Sequence, residues 1–195
     1  MGKYAMNLRT SQRRESTALR ALLIACVSCI ALNVYADTPA AAPASATMAA
    51  LSVSIENGKS TTLDLAALDK LPQRTVHAEA HGAAVTCTGP TLIDVLGSVG
   101  VVQGEALRGK NLALYVRAGA ADGYHAVFAL AELDPGFRSD VPIVTARCAD
   151  KPLDAKDGPL RIVVPGDKRP ARWVRQLTAL DVLAAPGANS AHEKK

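Results

Sequence analysis

Hydrophobic and polar positions alternate along much of the chain between residues 51 and 184, which is typical of strands with one buried face. The stretch LSVSIENGKSTTLDL alternates on both sides of Asn57-Gly58, a pair that favours a tight hairpin turn. Asp-Gly-Tyr in VRAGAADGYHAVFAL predicts a second, longer-looped hairpin. The remaining alternating or apolar runs predict strands at RTVHAEAH, VTCTG, VPIVTARC, LRIVV and LTALDVLA.

Helical spacing is confined to short segments. LAALDKLP predicts a short helix that Pro72 stops, and AELDPGF predicts a brief helical turn. PTLIDVLGSVG has Pro90 near its first turn, apolar residues at helical spacing, and Gly100 at its end. These elements together predict a mixed, strand-rich α+β domain with short helices.

The N-terminus has the pattern of an export signal. A basic segment precedes the apolar run Ala21–Leu32, and Val34-x-Ala36 supplies small residues for cleavage. Arg13-Arg14 could mark a twin-arginine signal, although Glu15 and Ser16 stand where an apolar residue usually follows. We therefore expect a periplasmic protein with four segments: a signal peptide at 1–36, a flexible Ala/Pro-rich linker at 37–50, a folded domain at 51–184 and a disordered tail at 185–195.

The formal net charge of +4 belongs to the export signal. The first 36 residues contain five basic residues and one acidic residue, so 17 basic and 17 acidic residues remain after cleavage. A neutral mature chain removes the main support for a nucleic-acid partner, because such binding rests on excess positive charge.

Cys87 and Cys148 are the cysteines that remain after the predicted cleavage. In an oxidising periplasm they could form a disulfide, or each could be a buried thiol that packs as a small apolar side chain. The mature sequence contains no P-loop, G-x-G-x-x-G, G-x-S-x-G or C-x-x-C motif.

Three segments contain candidate chemistry. In HAEAH, the residues His77, Glu79 and His81 would share one face of a strand, an arrangement that suffices for Zn²⁺; the alternative is an ordinary solvated strand face. In AADGYHAVF, the residues Asp122, Tyr124 and His125 could form a catalytic group, although hairpin turn chemistry explains them more simply.

The third segment is RIVVPGDKRPARWVRQL, in which four cations follow the Pro165-Gly166 turn beside the chain's single tryptophan. Arg172 and Arg175 are three apart and would share one face of a helical turn, with Lys168 in the loop before it. Such a loop suits a phosphate or another oxyanion. The alternative is that Asp167 and other acidic groups neutralise the cations in surface ion pairs.

Four segments in order resemble one family: LDLAALDKLPQRTV, TGPTLIDVLGSVGV, LYVRAGAADGYHAVFALAEL and KPLDAKDGPLRIVVPGDKRPARWVRQLTALDV. The chain resembles the sulfite-oxidase-type, oxidoreductase molybdopterin-binding domain in a short exported form. The resemblance implies a mixed α+β fold and a molybdenum held by a pyranopterin dithiolene. It implies cofactor contacts at Arg172 and Arg175, in the place of the family's R-x-V-K, and in the same region at Lys168, Asp122 and Tyr124.

The chain departs from the family at the metal ligand. Catalytic members supply a cysteine thiolate several residues before a W-x-G-V-P-L motif, which corresponds here to CTGPTL, Cys87 to Leu92. Cys87 therefore stands at the family's aromatic position, and the ligand region, HAEAHGAA, contains no cysteine.

Three functions follow as hypotheses. The first is a ligand-binding or accessory module that has lost the molybdenum ligand and binds a small anionic molecule, with either molybdopterin or no cofactor. The second is an active molybdopterin oxidoreductase that uses Cys87 after a local rearrangement. The third is a zinc-binding periplasmic protein built on His77, Glu79 and His81. A periplasmic redox or accessory partner is expected but is not identified by the sequence.

Overall fold

A computed structural model of the protein describes residues 49–56 and 58–187, which fall within one compact unit, Ser45–Lys195. The predicted signal peptide, all but the end of the predicted linker, Asn57 and residues 188–195 lie outside the described residues. Within the described part of the chain, no helix is long and apolar enough to cross a membrane.

The described residues form strands and α-helices in the following order: β1 (Ala50–Ile55), β2 (Ser60–Asp64), α1 (Leu65–Asp69), β3 (Gln73–Ala80), β4 (Ala83–Pro90), α2 (Leu92–Ser98), β5 (Leu114–Ala120), β6 (His125–Ala129), β7 (Ile143–Thr145), β8 (Arg147–Cys148), β9 (Lys151–Pro152), β10 (Arg161–Val163) and β11 (Leu177–Ala184). Short 3₁₀ helices lie at Gly104–Ala106, Gly109–Ala113, Leu130–Leu133 and Pro170–Arg172. The strand-rich composition with short helices is consistent with the predicted mixed fold.

The strands form three sheets. The largest has the order β2-β1-β11-β5-β6, in which β1 and β11 are parallel and the other pairs are antiparallel. The second has the order β3-β4-β8-β9 and is antiparallel throughout, and the third pairs β10 with β7. The two hairpins expected from the sequence are present as β1–β2 and β5–β6.

Both α-helices begin at a residue whose side chain caps a backbone amide. The carboxylate of Asp64 accepts from the amide of Ala67 at 2.7 Å, and the hydroxyl of Thr91 accepts from that of Asp94 at 3.1 Å. Asp and Thr are favoured at this position because the first turn of a helix leaves its amides without partners. Pro90, expected near the first turn of α2, instead ends β4 and precedes the capping residue.

The core is built from the apolar face of each alternating strand. Leu51 and Val53 of β1, Phe128 of β6 and Leu180 of β11 are each at most 1% exposed. The single tryptophan, Trp173, is also buried, and its indole N–H donates to the Val164 carbonyl at 3.0 Å. A buried indole N–H needs a hydrogen-bond partner, and this bond supplies one. It also holds the segment after β10 against the core.

Two local predictions about the strands and turns are wrong. The strand expected to include His81 ends at Ala80, because His81 and Gly82 form the β3–β4 turn with φ of 53° and 78°. The helical turn expected to hold Arg172 and Arg175 together ends at Arg172. Pro170 begins that turn, and the chain after Trp173 leaves it toward β11.

Candidate functional site

The Asp-Gly-Tyr turn between β5 and β6 is fixed by its own side chains. The carboxylate of Asp122 accepts from the amide of Tyr124 at 2.9 Å, and Gly123 takes a φ of 84° that favours glycine. The Tyr124 hydroxyl then donates to the Ala171 carbonyl at 2.6 Å. A turn predicted from short-range sequence is thereby joined to the segment that contains the basic run, 47 residues away.

These two segments enclose a small cleft of about 240 Å³, which we call the polar cleft. It is lined by Ala120, Asp122, Tyr124, Pro170, Ala171, Trp173 and Arg175. Three of the five residues predicted to contact an anionic cofactor, Asp122, Tyr124 and Arg175, therefore lie together in one depression.

Arg175 is the cation of the polar cleft. Its side chain is 48% exposed, and its guanidinium approaches the carboxylate of Asp157 only to 3.8 Å. An exposed pair at that distance is weak and leaves the donors of the guanidinium available to a ligand.

A second arginine lies behind the cleft wall. Arg161 forms an ion pair with Asp157 and lies 5.2 Å from the centre of the Trp173 ring. Burial lowers the pKa of Arg161, the attraction of Asp157 opposes this, and the nearby charge of Arg175 adds to the lowering. Arg161 and Arg175 thus both contact the carboxylate of Asp157.

Arg172 is not part of the polar cleft. Its guanidinium donates to both oxygens of Asp167 at 2.9 and 2.7 Å and to Glu132 at 2.9 Å. It also lies 5.0 Å from the centre of the Phe128 ring. The hydrogen bond with Asp167 is the main cause that raises the pKa of Arg172, and Glu132 contributes further. The cofactor contact predicted at Arg172 stays a prediction, and an anion there would have to compete with Asp167 and Glu132 for the guanidinium.

Lys168 also lies apart from the polar cleft. It is exposed and lines a separate depression of about 290 Å³ with Glu79, Pro165, Gly166 and Asp167. Asp167 and Glu79 give that depression more carboxylates than cations. Of the three cations predicted to contact one anionic cofactor, Arg175 lines the polar cleft, whereas Lys168 and Arg172 do not.

The predicted zinc ligands are not brought together. His77 and Glu79 are exposed on β3, and the Nδ1 atom of His77 is 3.0 Å from the Thr86 hydroxyl. His81 lies in the turn beyond the strand, as described above. Across residues 49–56 and 58–187, no group of three or more His, Cys, Asp or Glu residues is placed to hold a metal ion.

The alternative catalytic grouping of Asp122, Tyr124 and His125 is not formed either. Within the described residues, no hydrogen bond joins His125 to Asp122 or Tyr124. His125 lies against Gly119, and its charge acts on Asp181 of β11.

Cys87 and Cys148 form a disulfide that joins β4 to β8. The two residues are directly opposite each other in the antiparallel register, with their Cα atoms 4.1 Å apart. Cys87 is 1% exposed. Both cysteines in the described part of the chain are therefore bonded to each other.

The sequence did not point to Arg161, Asp157 or Trp173 as parts of this site. Arg161 directly precedes the apolar residues of β10, and Asp157 is four residues earlier. A cation at the edge of a buried strand with an acidic residue nearby is the signal that could have suggested a buried ion pair.

A comparison with solved structures identifies the fold. The described chain resembles the crystal structure of the sulfane dehydrogenase SoxCD from Paracoccus pantotrophus, with a TM-score of 0.52 and 16% sequence identity. The match covers 68% of this chain and only 37% of the SoxCD chain. No family model and no curated protein sequence matches.

At this identity the similarity establishes the fold alone. The chain therefore shares its fold with the matched part of SoxCD, which is consistent with the fold that the resemblance in the sequence implied. It spans little more than a third of the SoxCD chain that it matches.

Proposed function

We propose that this protein is an exported, periplasmic ligand-binding or accessory module with a sulfite-oxidase-type fold. In this proposal it binds a small anionic molecule in the polar cleft and forms no bond between molybdenum and a cysteine thiolate. A periplasmic redox or accessory partner remains part of the proposal.

The observation that carries the proposal is the Cys87–Cys148 disulfide. The family's molybdenum takes a thiolate from the protein, and soft thiolate donors suit such a centre. A disulfide sulfur carries no negative charge and is not an equivalent donor. Since Cys87 is also buried, the active oxidoreductase hypothesis would need reduction of the disulfide as well as movement of β4.

The polar cleft supplies contacts for an anion that also has hydrogen-bond donors. Arg175 presents a guanidinium with few competing contacts, which suits a phosphate, sulfate or carboxylate group. The Tyr124 hydroxyl already donates to Ala171, so toward a ligand it acts as an acceptor. Asp122 is also an acceptor, so we expect the ligand to carry hydroxyl or amine groups at that end.

Molybdopterin falls within this class of ligand, because it combines a phosphate with donor groups on its ring. The residues of the polar cleft fit such an anion, whereas the described cysteines do not fit the family's bond to the metal. We therefore propose no reaction at a metal centre.

Thermal unfolding in phosphate and sulfate tests the proposal. A ligand that binds only the native state at about ten times its Kd raises the free energy of unfolding by about 1.4 kcal/mol, which raises Tm by several degrees. We expect this shift in the wild type and its loss in Arg175→Ala. Arg108→Ala, which removes another exposed arginine outside the cleft, is the matched control and should keep the shift.

An equal shift in Arg175→Ala and the wild type would overturn the assignment of the anion site to the polar cleft. Retention of the shift in Lys168→Ala and its loss in Arg175→Ala would separate the polar cleft from the depression beside Glu79.

A further inference from the structure

A larger cleft, which shares no residue with the polar cleft, lies where α1 meets β4 and the β7–β9 region. Its volume is about 450 Å³, which is within the range of pockets that bind small molecules. Leu65, Leu68, Val144, Leu153 and Leu160 give it apolar walls, and we call it the apolar cleft.

The charges at the rim of the apolar cleft do not balance. Arg147 and Asp69 both line the cleft and form an ion pair at 3.2 Å, so their charges largely cancel. Asp150 is the remaining charged residue of the lining, and within the described residues it makes no hydrogen bond or ion pair. The cleft therefore combines apolar walls with one uncompensated carboxylate at its edge.

The wall that contains Asp150 is held in place. The β8–β9 hairpin is joined to β4 by the Cys87–Cys148 disulfide, and Thr88 and Arg147, which line the cleft, are opposite each other in that pairing. The Thr145 hydroxyl is 2.7 Å from the Thr88 carbonyl and 2.6 Å from that of Arg147. The cleft is thus formed before any ligand arrives, which lowers the entropic cost of binding.

We propose that the apolar cleft is a second binding site, for a small molecule with an apolar body and one cationic group. The apolar body contacts the leucines of α1 and of the 153–160 segment, and the cation lies beside Asp150. An anionic ligand is disfavoured because it would place a second negative charge beside Asp150 and would have to compete with Asp69 for Arg147. This site and the polar cleft thus take ligands of opposite charge.

Three probes that share a phenylpropyl body test the charge preference: 3-phenylpropylammonium, 3-phenylpropanol and 4-phenylbutyrate. Titrations of the mature, oxidised protein followed by ¹H–¹⁵N NMR give both the affinity and the location of binding. We expect the largest shifts among the residues that line the cleft, in α1, β4, β7 to β9 and the 153–160 segment. The ammonium should bind more tightly than the alcohol by up to about fivefold, the size of one exposed ion pair. The butyrate should bind most weakly.

Asp150→Asn tests the source of the preference. Asp150 has a φ of 58°, a conformation that asparagine adopts readily, so this variant should fold normally. It should bind the ammonium and the alcohol equally. Glu105→Gln, which removes an exposed carboxylate outside the cleft, should keep the wild-type preference.

Leu65→Ala tests the apolar wall. Leu65 is 37% exposed, so its truncation should not prevent folding, and it should weaken all three probes. Leu112→Ala, at another exposed leucine that does not line the cleft, should leave the three affinities unchanged.

The proposal would be overturned by equal binding of the three probes, by a preference for the butyrate, or by shifts that map away from the residues that line the cleft. It would also be overturned if Asp150→Asn kept the preference for the ammonium. Phosphate-induced stabilisation should be the same in Asp150→Asn and the wild type, so the two proposed sites can fail independently.

Discussion

Arg172 and Arg175 are three residues apart in one basic run, yet the fold gives them different environments. The guanidinium of Arg172 contacts two carboxylates and the face of Phe128, and its side chain is 31% exposed. Arg175 is 48% exposed and has one carboxylate at 3.8 Å. The comparison teaches that the number of cations in a sequence does not measure the positive charge available to a ligand.

Arg172→Ala should lower the free energy of unfolding more than any other substitution considered below. The substitution removes three charge-assisted hydrogen bonds. It leaves Asp167 without its ion pair to Arg172, and Glu132 with the longer ion pair to Arg138 at 3.6 Å. We expect the free energy of unfolding to fall by about 2 to 3 kcal/mol. Urea denaturation measures this, with Arg169→Ala, an exposed neighbour, as the control that should change it by less than about 0.5 kcal/mol.

A double-mutant cycle with Glu132→Gln would sharpen this result. If Arg172 and Glu132 stabilise each other, the double variant should be more stable than the sum of the two single effects predicts, with a coupling of about 1 kcal/mol. Additive effects would mean that Arg172 acts through Asp167 and Phe128 instead.

Breaking the ion pair between Arg117 and Asp181 on the five-stranded sheet should lower the free energy of unfolding by an intermediate amount. Burial would raise the pKa of Asp181, but hydrogen bonds from Ser54 and Arg117 prevail and lower it below the ordinary value of 3.8. A lowered pKa means that the carboxylate stabilises the fold above pH 3.8 and that this contribution disappears as the pH falls through the folded-state value.

Asp181→Asn should therefore be less stable than the wild type by about 1 kcal/mol near neutral pH. The difference should shrink as the pH falls below 3.8, because the wild type then loses the same charge. Urea denaturation over a series of pH values measures it. A difference that stays constant into strong acid would contradict the assignment.

The smallest effect on stability should come from Arg175→Ala. Its ion pair with Asp157 is exposed and long, so the free energy of unfolding should change by less than about 0.5 kcal/mol. The same variant should lose the anion-induced thermal shift. Arg172→Ala should show the opposite pattern, with a large loss of stability and a retained shift. If both variants lost the shift, the two arginines would share a site and the comparison would fail.

Short-range patterns in the sequence predicted most of the fold. Alternation identified the strands of the five-stranded sheet, and Asp-Gly-Tyr identified the turn that places Asp122 and Tyr124 in the polar cleft. These predictions succeeded because a strand's period and a turn's geometry depend on neighbouring residues.

The errors concern properties that distant residues decide. Arg172 was expected either to contact an anion or to be neutralised by Asp167. The structure shows the contact with Asp167, but it adds Glu132, which is 40 residues away and which no local pattern reveals. His81 was placed on a strand because the alternation of HAEAH continues into the turn. Whether Cys87 and Cys148 pair depends on the register between β4 and β8, which the sequence does not specify.

The most direct test of the proposed function measures molybdenum and free thiols together in the mature protein, purified from the periplasm of a cofactor-competent host. We predict no reactive thiol after unfolding without reductant, two after reduction, and no stoichiometric molybdenum, since Cys87 and Cys148 are bonded to each other. About one molybdenum per chain that is lost in Cys87→Ser would contradict the account and would assign the protein to the active oxidoreductases of this fold.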